Sequence, residues 1–154
     1  MTAKTLDDIN GLEYDWLVCD KSGQVALFST AGTGYAPNVF LVDTEAYDQA
    51  IEELLKLPTT TSAKIFPKIG GNLENTWKKA SERGFFGYDA DITSGDYNLV
   101  SIPELPIFIN ELPAKIAEVV NQFKFVDMLF NSTDIFTKFD ISKNENQPIW
   151  TKSL

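Results

Sequence analysis

Glycines at positions 32 and 34 close the stretch Val25-Ala26-Leu27-Phe28-Ser29-Thr30-Ala31-Gly32-Thr33-Gly34-Tyr35, a strand-like apolar run feeding a G-x-G loop. A phosphate-cradling turn begins this way, because glycines let backbone N–H groups approach an anion and a helix N-terminus completes the cradle. The rest of that signature is missing. Pro37 stands where the third glycine of a dinucleotide fingerprint belongs, no Gly-Lys-Ser/Thr follows, and Val39-Phe40-Leu41-Val42 reads as a strand rather than a helix. The loop 31–38 is therefore expected to be a flexible surface connection, and no cofactor is expected.

The run Asp89-Ala90-Asp91-Ile92-Thr93-Ser94-Gly95-Asp96 starts like a calcium loop. It fails at its sixth position, Ser94 in place of glycine, and at its twelfth, Val100 in place of a bidentate glutamate. The preceding Phe85–Tyr88 is strand-like, so a hairpin turn rich in Asp and Gly is expected there, and no metal site.

The chain has no histidine, which removes Ser-His-Asp and Cys-His nucleophile systems and the commonest zinc-ligand sets together. Its single cysteine, Cys19, lies in an apolar run and reads as a small buried hydrophobe rather than a nucleophile. Asn131-Ser132-Thr133 matches a glycosylation acceptor, which matters only for a secreted chain. Among 22 acidic residues no catalytic pair stands out. No catalytic residue is assigned, and the expectation is a protein that is not an enzyme.

The elements that would position these residues can be read from periodicity and punctuation. Asp15–Asp20 and Val25–Thr30 flank the turn Lys21-Ser22-Gly23-Gln24 and predict a β-hairpin. Asp43 or Thr44 caps a helix over Glu45–Leu57, with Tyr47, Ile51, Leu54 and Leu55 as its apolar stripe and Pro58 as its stop. Residues 65–71 read as irregular. A second helix is predicted over Asn72–Arg83, with Leu73, Trp77 and Ala80 facing inward and Gly84 as a left-handed cap. Phe85–Tyr88 and Tyr97–Ile102 predict a second hairpin. A third helix follows from Glu111 with Pro113 in its first turn and Ile116, Val119, Val120 and Phe123 on one face. Phe125–Phe130 and Ile135–Phe139 read as last strands. Together these give an α+β fold: a mostly antiparallel sheet built from hairpins, with about three helices packed on it. One globular domain over 1–154 is expected, with 1–13 and 142–154 as frayed ends.

Charge narrows the function. The net charge is −9, and residues 1–60 hold ten carboxylates against three lysines, a balance of −7, leaving −2 for the rest. Such a field repels nucleic acid and speeds association with cationic partners. No apolar run approaches the roughly 20 residues that span a bilayer, so no membrane partner is expected. The N-terminus MTAKTLDDIN lacks the apolar core of a secretory signal, so a cytoplasmic location is expected. The candidate contacts for a cationic protein are Asp43, Glu45, Asp48, Glu52 and Glu53 on the acidic helix, with Thr33 and Tyr35 of the neighbouring loop. Tyr35 and Tyr47 read equally as aromatic anchors beside the carboxylates or as core residues.

Three groups of residues carry a resemblance. Asp15-Trp16-Leu17-Val18-Cys19-Asp20, then Phe28-Ser29-Thr30-Ala31-Gly32 with Gly34 and Pro37, then Trp77 and Arg83-Gly84-Phe85-Phe86-Gly87-Tyr88-Asp89 resemble small acidic bacterial proteins, of the type of immunity proteins encoded beside polymorphic or contact-dependent toxins. The resemblance covers roughly residues 14–106 and transfers no active site. It implies a compact, non-catalytic binder that neutralises a cognate toxin domain through an acidic surface. The alternative is a small enzyme or ligand-binding domain using the loop 31–38 and the turn 89–96.

Overall fold

The computed structural model describes residues 2–66 and 76–145. Within them six strands form one sheet: β1 (Asp15–Cys19), β2 (Val25–Ser29), β3 (Ala63–Ile65), β4 (Phe86–Ala90), β5 (Tyr97–Pro103) and β6 (Ile135–Phe136). The helices are α1 (Leu6–Ile9), α2 (Asn38–Val42), α3 (Thr44–Leu55), α4 (Thr76–Ser81), α5 (Ala114–Val120) and α6 (Lys138–Glu145).

The strand order is β1-β2-β4-β5-β3, with β6 also pairing β5. Both expected hairpins form: β1–β2 pairs Trp16 with Phe28 and β4–β5 pairs Tyr88 with Leu99. β3 and β6 share the outer edge of β5, both antiparallel to it. β2 and β4 run parallel, so the sheet is mixed. Parallel neighbours need a long crossover, and here it consists of α2, α3, β3 and α4.

β2 is buried at all five positions, as a central strand covered on both faces should be. One face carries an aromatic core. Phe28 stacks on Tyr88 at 4.7 Å and meets Phe125, Phe130 and Phe136 from the C-terminal third of the chain. Trp16 Nε1–H donates to Tyr97 Oη at 3.1 Å, and that hydroxyl donates onward to the Tyr35 carbonyl at 2.9 Å. Helices α3 and α4 pack against the sheet from the helical layer. Asp43 caps α3 by accepting from Ala46 N–H at 3.3 Å, and Tyr47, Ala50, Ile51 and Leu54 form its buried stripe. Gly84 has the expected positive φ, +97°, just past α4.

Several expectations are corrected. The fold has six helices among the described residues rather than about three, and its sheet is mixed rather than simply a set of hairpins. Val39–Val42 is helical: the Pro37 carbonyl accepts from both Phe40 and Leu41 N–H groups, which starts a helical turn. Four consecutive apolar residues carry no period that separates helix from strand. Phe125–Phe130 forms no strand; its segment meets β1 through a bridge at Cys19 and then turns, because Phe125 and Phe130 both enter the same aromatic core. The last strand covers two residues only, and α6 follows where a polar tail was expected. Asn144 docks α6 by accepting from Val126 N–H at 3.1 Å and donating to the Asp140 carbonyl. Ala63–Ile65 pairs with β5 although that region read as irregular from residue 65 onward. The expected irregular segment up to Gly71, the helix start at Asn72 with Leu73, and the tail carrying Ile149, Trp150 and Leu154 lie outside the described residues.

Residues 2–13 are tied down. A capping box between Thr5 and Asp8 starts α1, Lys4 N–H donates to the Leu41 carbonyl at 2.7 Å, and Thr2 N–H donates to Asp43 at 3.1 Å. No helix among the described residues is long and apolar enough to cross a membrane.

Candidate functional site

Glu45, Asp48, Glu52 and Glu53 are exposed on the acidic helix α3. Asp43 serves the helix start, as its bonds to Ala46 and Thr2 show. Glu45 accepts from the Thr2 hydroxyl at 3.1 Å. Glu53 has an exposed ion pair with Lys56 at 3.7 Å. Glu52 has no ion-pair partner among the described residues. Asp48 is held above its ordinary value, first by partial burial and then by the charges of Glu52 and Glu45.

Between α3 and α5 lies an open cleft of about 510 Å³. Asp43, Glu52 and Glu53 line it from α3, and Glu118 faces them from α5, with Lys115 the one cation among its lining residues. Ala46, Ala50 and Val119 supply its apolar surface. Three of the expected contacts thus meet in one cleft, and Glu118 joins them from the third expected helix, which contributed no candidate contact. Glu45 and Asp48 lie on the same helix but outside that cleft.

The loop candidates are elsewhere. Gly32, Thr33, Gly34 and Tyr35 line a smaller cleft of about 250 Å³ with Leu6, Ile9 and Lys138. The loop is held at several points rather than left as a free connection. Gly11 N–H donates to the Gly32 carbonyl, Thr33 and Gly34 N–H groups donate to the Thr30 carbonyl, and the Thr33 hydroxyl donates to the Asp91 carbonyl at 2.9 Å. A β-carbon at Gly34 would stand 2.5 Å from Tyr97 Oη. The second glycine of the G-x-G thus serves close packing rather than an anion. The Tyr35 hydroxyl donates to Glu145, and Lys138 Nζ lies 5.3 Å from the ring centre. Tyr47 is no anchor: it is 0 % exposed and packs edge-on against Phe40 at 5.0 Å.

The turn after β4 is a closed hairpin. Asp91 Oδ1 accepts from Thr93 and Ser94 N–H groups at 2.8 and 2.9 Å, which holds that carboxyl below its usual range. Among the described residues no group of three or more His, Cys, Asp or Glu side chains is placed to hold a metal ion.

A carboxylate pair does emerge from the sheet register. Asp15 pairs with Ser29 across β1–β2, and Ser29 pairs with Asp89 across β2–β4, so the three form one row over adjacent strands. The two outer strands of that row are about 9–10 Å apart. The Ser29 hydroxyl donates to Asp15 Oδ1 at 2.6 Å. Burial pushes Asp15 up to about 6, against the Ser29 bond and with help from Glu13 and Asp48. Asp89 is likewise raised to about 6 by burial, then by Glu13 and Asp15. Beside the row, Glu13, Asp15, Ser29, Thr76 and Trp77 line a cleft of about 390 Å³. Carboxyls titrating near 6 can hold or release a proton close to neutral pH. The sequence did carry a local signal: Asp15 precedes Trp16, Ser29 follows Phe28 and Asp89 follows Tyr88, each a polar neighbour of a buried aromatic. What it lacked was the parallel register that aligns β2 with β4.

Cys19 is buried at the β1 end, and burial lifts its thiol to about 11, which leaves it unreactive as a nucleophile near neutral pH. No protein-family model, curated protein or solved structure matches the chain.

Proposed function

We propose that the protein is a non-catalytic binding module whose acidic helical face engages a cationic protein, and that it acts as an immunity protein neutralising a bacterial toxin domain in the cytoplasm. The observation that carries this reading is the α3–α5 cleft, which Asp43, Glu52, Glu53 and Glu118 line together with Lys115 as the one cation among its lining residues. Four carboxylates around one open cleft set up a field that accelerates encounter with a basic surface and discriminates against acidic ones. The resemblance to toxin-linked immunity proteins supplies the partner class. The test is co-purification with the product of the adjacent gene. A stoichiometric complex that weakens with salt, and weakens further in Asp48→Lys/Glu52→Lys, is expected. A neighbouring product that does not associate, or an association indifferent to both salt and that variant, sinks the reading.

The Asp15-Ser29-Asp89 row favours a second reading, a small enzyme or ligand-binding domain. A small-molecule thermal-shift screen separates the two. A hit abolished by Asp15→Asn and untouched by Glu52→Lys would favour the second over the first.

A further inference from the structure

Resting on the binding-module reading, we infer that the α3–α5 groove receives an α-helix of the partner bearing lysines or arginines on one face. Three observations carry the inference beyond a general acidic surface.

The first is position along the helix. Glu52 and Glu53 lie in the last turn of α3, which contains no basic residue. Carboxylates at a helix C-terminus oppose the helix dipole, and Asp48 and Glu52 repel one another one turn apart. Glu53 is partly offset by its exposed pair with Lys56, but folding stability does not account for Glu52, whereas it does account for Asp43 and Glu45 at the helix start.

The second is shape. The groove is walled by the cap residue Asp43 and by Ala46, Ala50 and Glu53 of α3 on one side, and by Lys115 and Glu118 of α5 with Gln122 just past its end on the other. Ala46, Ala50 and Glu53 recur at four- and three-residue spacing, and Lys115 and Glu118 are three apart, so each wall is formed by one face of a helix. Small side chains at 46 and 50 let a third backbone approach closely, as in helix-in-groove recognition. The 12 residues of α3 span about 18 Å, the length of roughly three turns of an incoming helix.

The third is charge distribution. Asp43 stands at one end of α3 and Glu52 and Glu53 at the other, with Glu118 on the opposite wall. Cations on one face of a helix, spaced two to three turns apart, complement this arrangement. Nucleic acid and anionic lipid are repelled by it.

The experiment uses the ¹⁵N-labelled full chain and three 14-residue peptides of equal length. The first is an alanine-based helix with lysines along one face, the second replaces those lysines with glutamate, and the third has the composition of the first but is interrupted by prolines. The lysine helix is expected to move the amide resonances of residues 43–53 and 115–122 at low salt. Its affinity should be about ten-fold above that of the proline-interrupted peptide, and should fall by about the same factor at high salt. The glutamate peptide should move nothing. Glu53→Lys/Glu118→Lys should abolish the shifts, while Asp7→Lys/Glu104→Lys, with the same change in net charge, should leave them. Equal binding of the helical and interrupted lysine peptides overturns the inference in favour of an extended basic arm. Shifts centred on Asp15 and Asp89 overturn it as well, as does self-association of the free chain through these helices. If the partner still binds in a salt-sensitive way to Glu53→Lys/Glu118→Lys, the groove assignment fails while the binding-module reading survives. If neither peptide nor partner binds the wild-type chain, both fail.

Discussion

Asp15 and Asp20 stand at the two ends of β1 with very different hydrogen-bond partners. Burial, and then the charges of Glu13 and Asp48, disfavour the Asp15 carboxylate with only the Ser29 hydroxyl to help it, so the fold favours its protonated form. Its contribution to stability is fully present below the ordinary value of 3.8 and is lost as pH rises through about 6. Asp15→Asn should therefore match the wild type near pH 4 and exceed it by about 3 kcal/mol at pH 7.5, a shift of roughly two units converted to energy. Urea unfolding at the two pH values measures this; a variant less stable than wild type at pH 7.5 would show that the Ser29 bond outweighs the repulsion. Asp20 is fully buried where Asp15 is only partly so, and it accepts from Ser22 N–H, the Ser22 hydroxyl, Gln24 N–H and, through its other oxygen, Phe130 N–H at 2.9 Å. It closes the β1–β2 turn and ties that turn to the aromatic core. Asp20→Ala orphans three backbone donors and should lose about 3 kcal/mol or more. Asp20→Asn should lose less, because one oxygen still serves the turn while the amide confronts the Phe130 donor. Denaturant midpoints that leave both variants level with wild type would refute the hub role.

Among elements, α6 is the one least legible in the sequence and the most dependent on long-range bonds. Its run Lys-Phe-Asp-Ile-Ser-Lys-Asn-Glu has no apolar stripe, and only Ile141 and Asn144 are buried. Its position comes from two polar latches: Asn144 on the Val126 backbone, and Glu145, whose two oxygens accept from the Tyr35 hydroxyl and Asn38 N–H. Glu145 thereby also caps the start of α2, the helix that local pattern presented as a strand. The Glu145 latch joins residues about a hundred positions apart and the Asn144 latch residues 18 apart, and neither leaves a periodic trace. Glu145→Ala should release both helices locally, raising hydrogen exchange at residues 38–42 and 138–145 about ten-fold while lowering global stability by about 1 kcal/mol. Exchange that rises uniformly over the chain instead would mean that α6 is integral to the cooperative core. The legible elements had the opposite character. The two hairpins announced themselves through β-branched and aromatic runs around Gly23 and Gly95. α3 announced itself through a capping aspartate, a 3.6-residue stripe and Pro58. The same boundary explains the sites: α3's acids were legible because they share one helix, whereas Glu118 joins them only through packing and Asp89 joins Asp15 only through a parallel pairing.

At the scale of the whole molecule, the dominant feature is unbalanced charge. The chain carries −9, and the ion pairs among the described residues are three exposed or half-exposed contacts: Lys56–Glu53, Lys78–Glu82 and Lys143–Asp127. Pairs of this kind contribute about 0–1 kcal/mol each. Repulsion therefore outweighs attraction in the free protein, and screening acts on the larger of the two. Raising KCl from 50 to 300 mM shortens the screening length below about 10 Å and should stabilise the free chain by about 1 kcal/mol. For a chain of this size that corresponds to roughly 2–4 °C in Tm. Glu52→Gln/Glu53→Gln should recover part of that gain without salt and show a shallower salt dependence. Binding of a cationic partner must respond with the opposite sign, because the same screening removes the attraction that the acidic cleft provides. Free-chain stability that rises with salt while the complex loosens is the joint outcome expected of an acidic docking protein. A free chain destabilised by KCl would place the balance of charge in its favour and remove the electrostatic basis for the cleft's role.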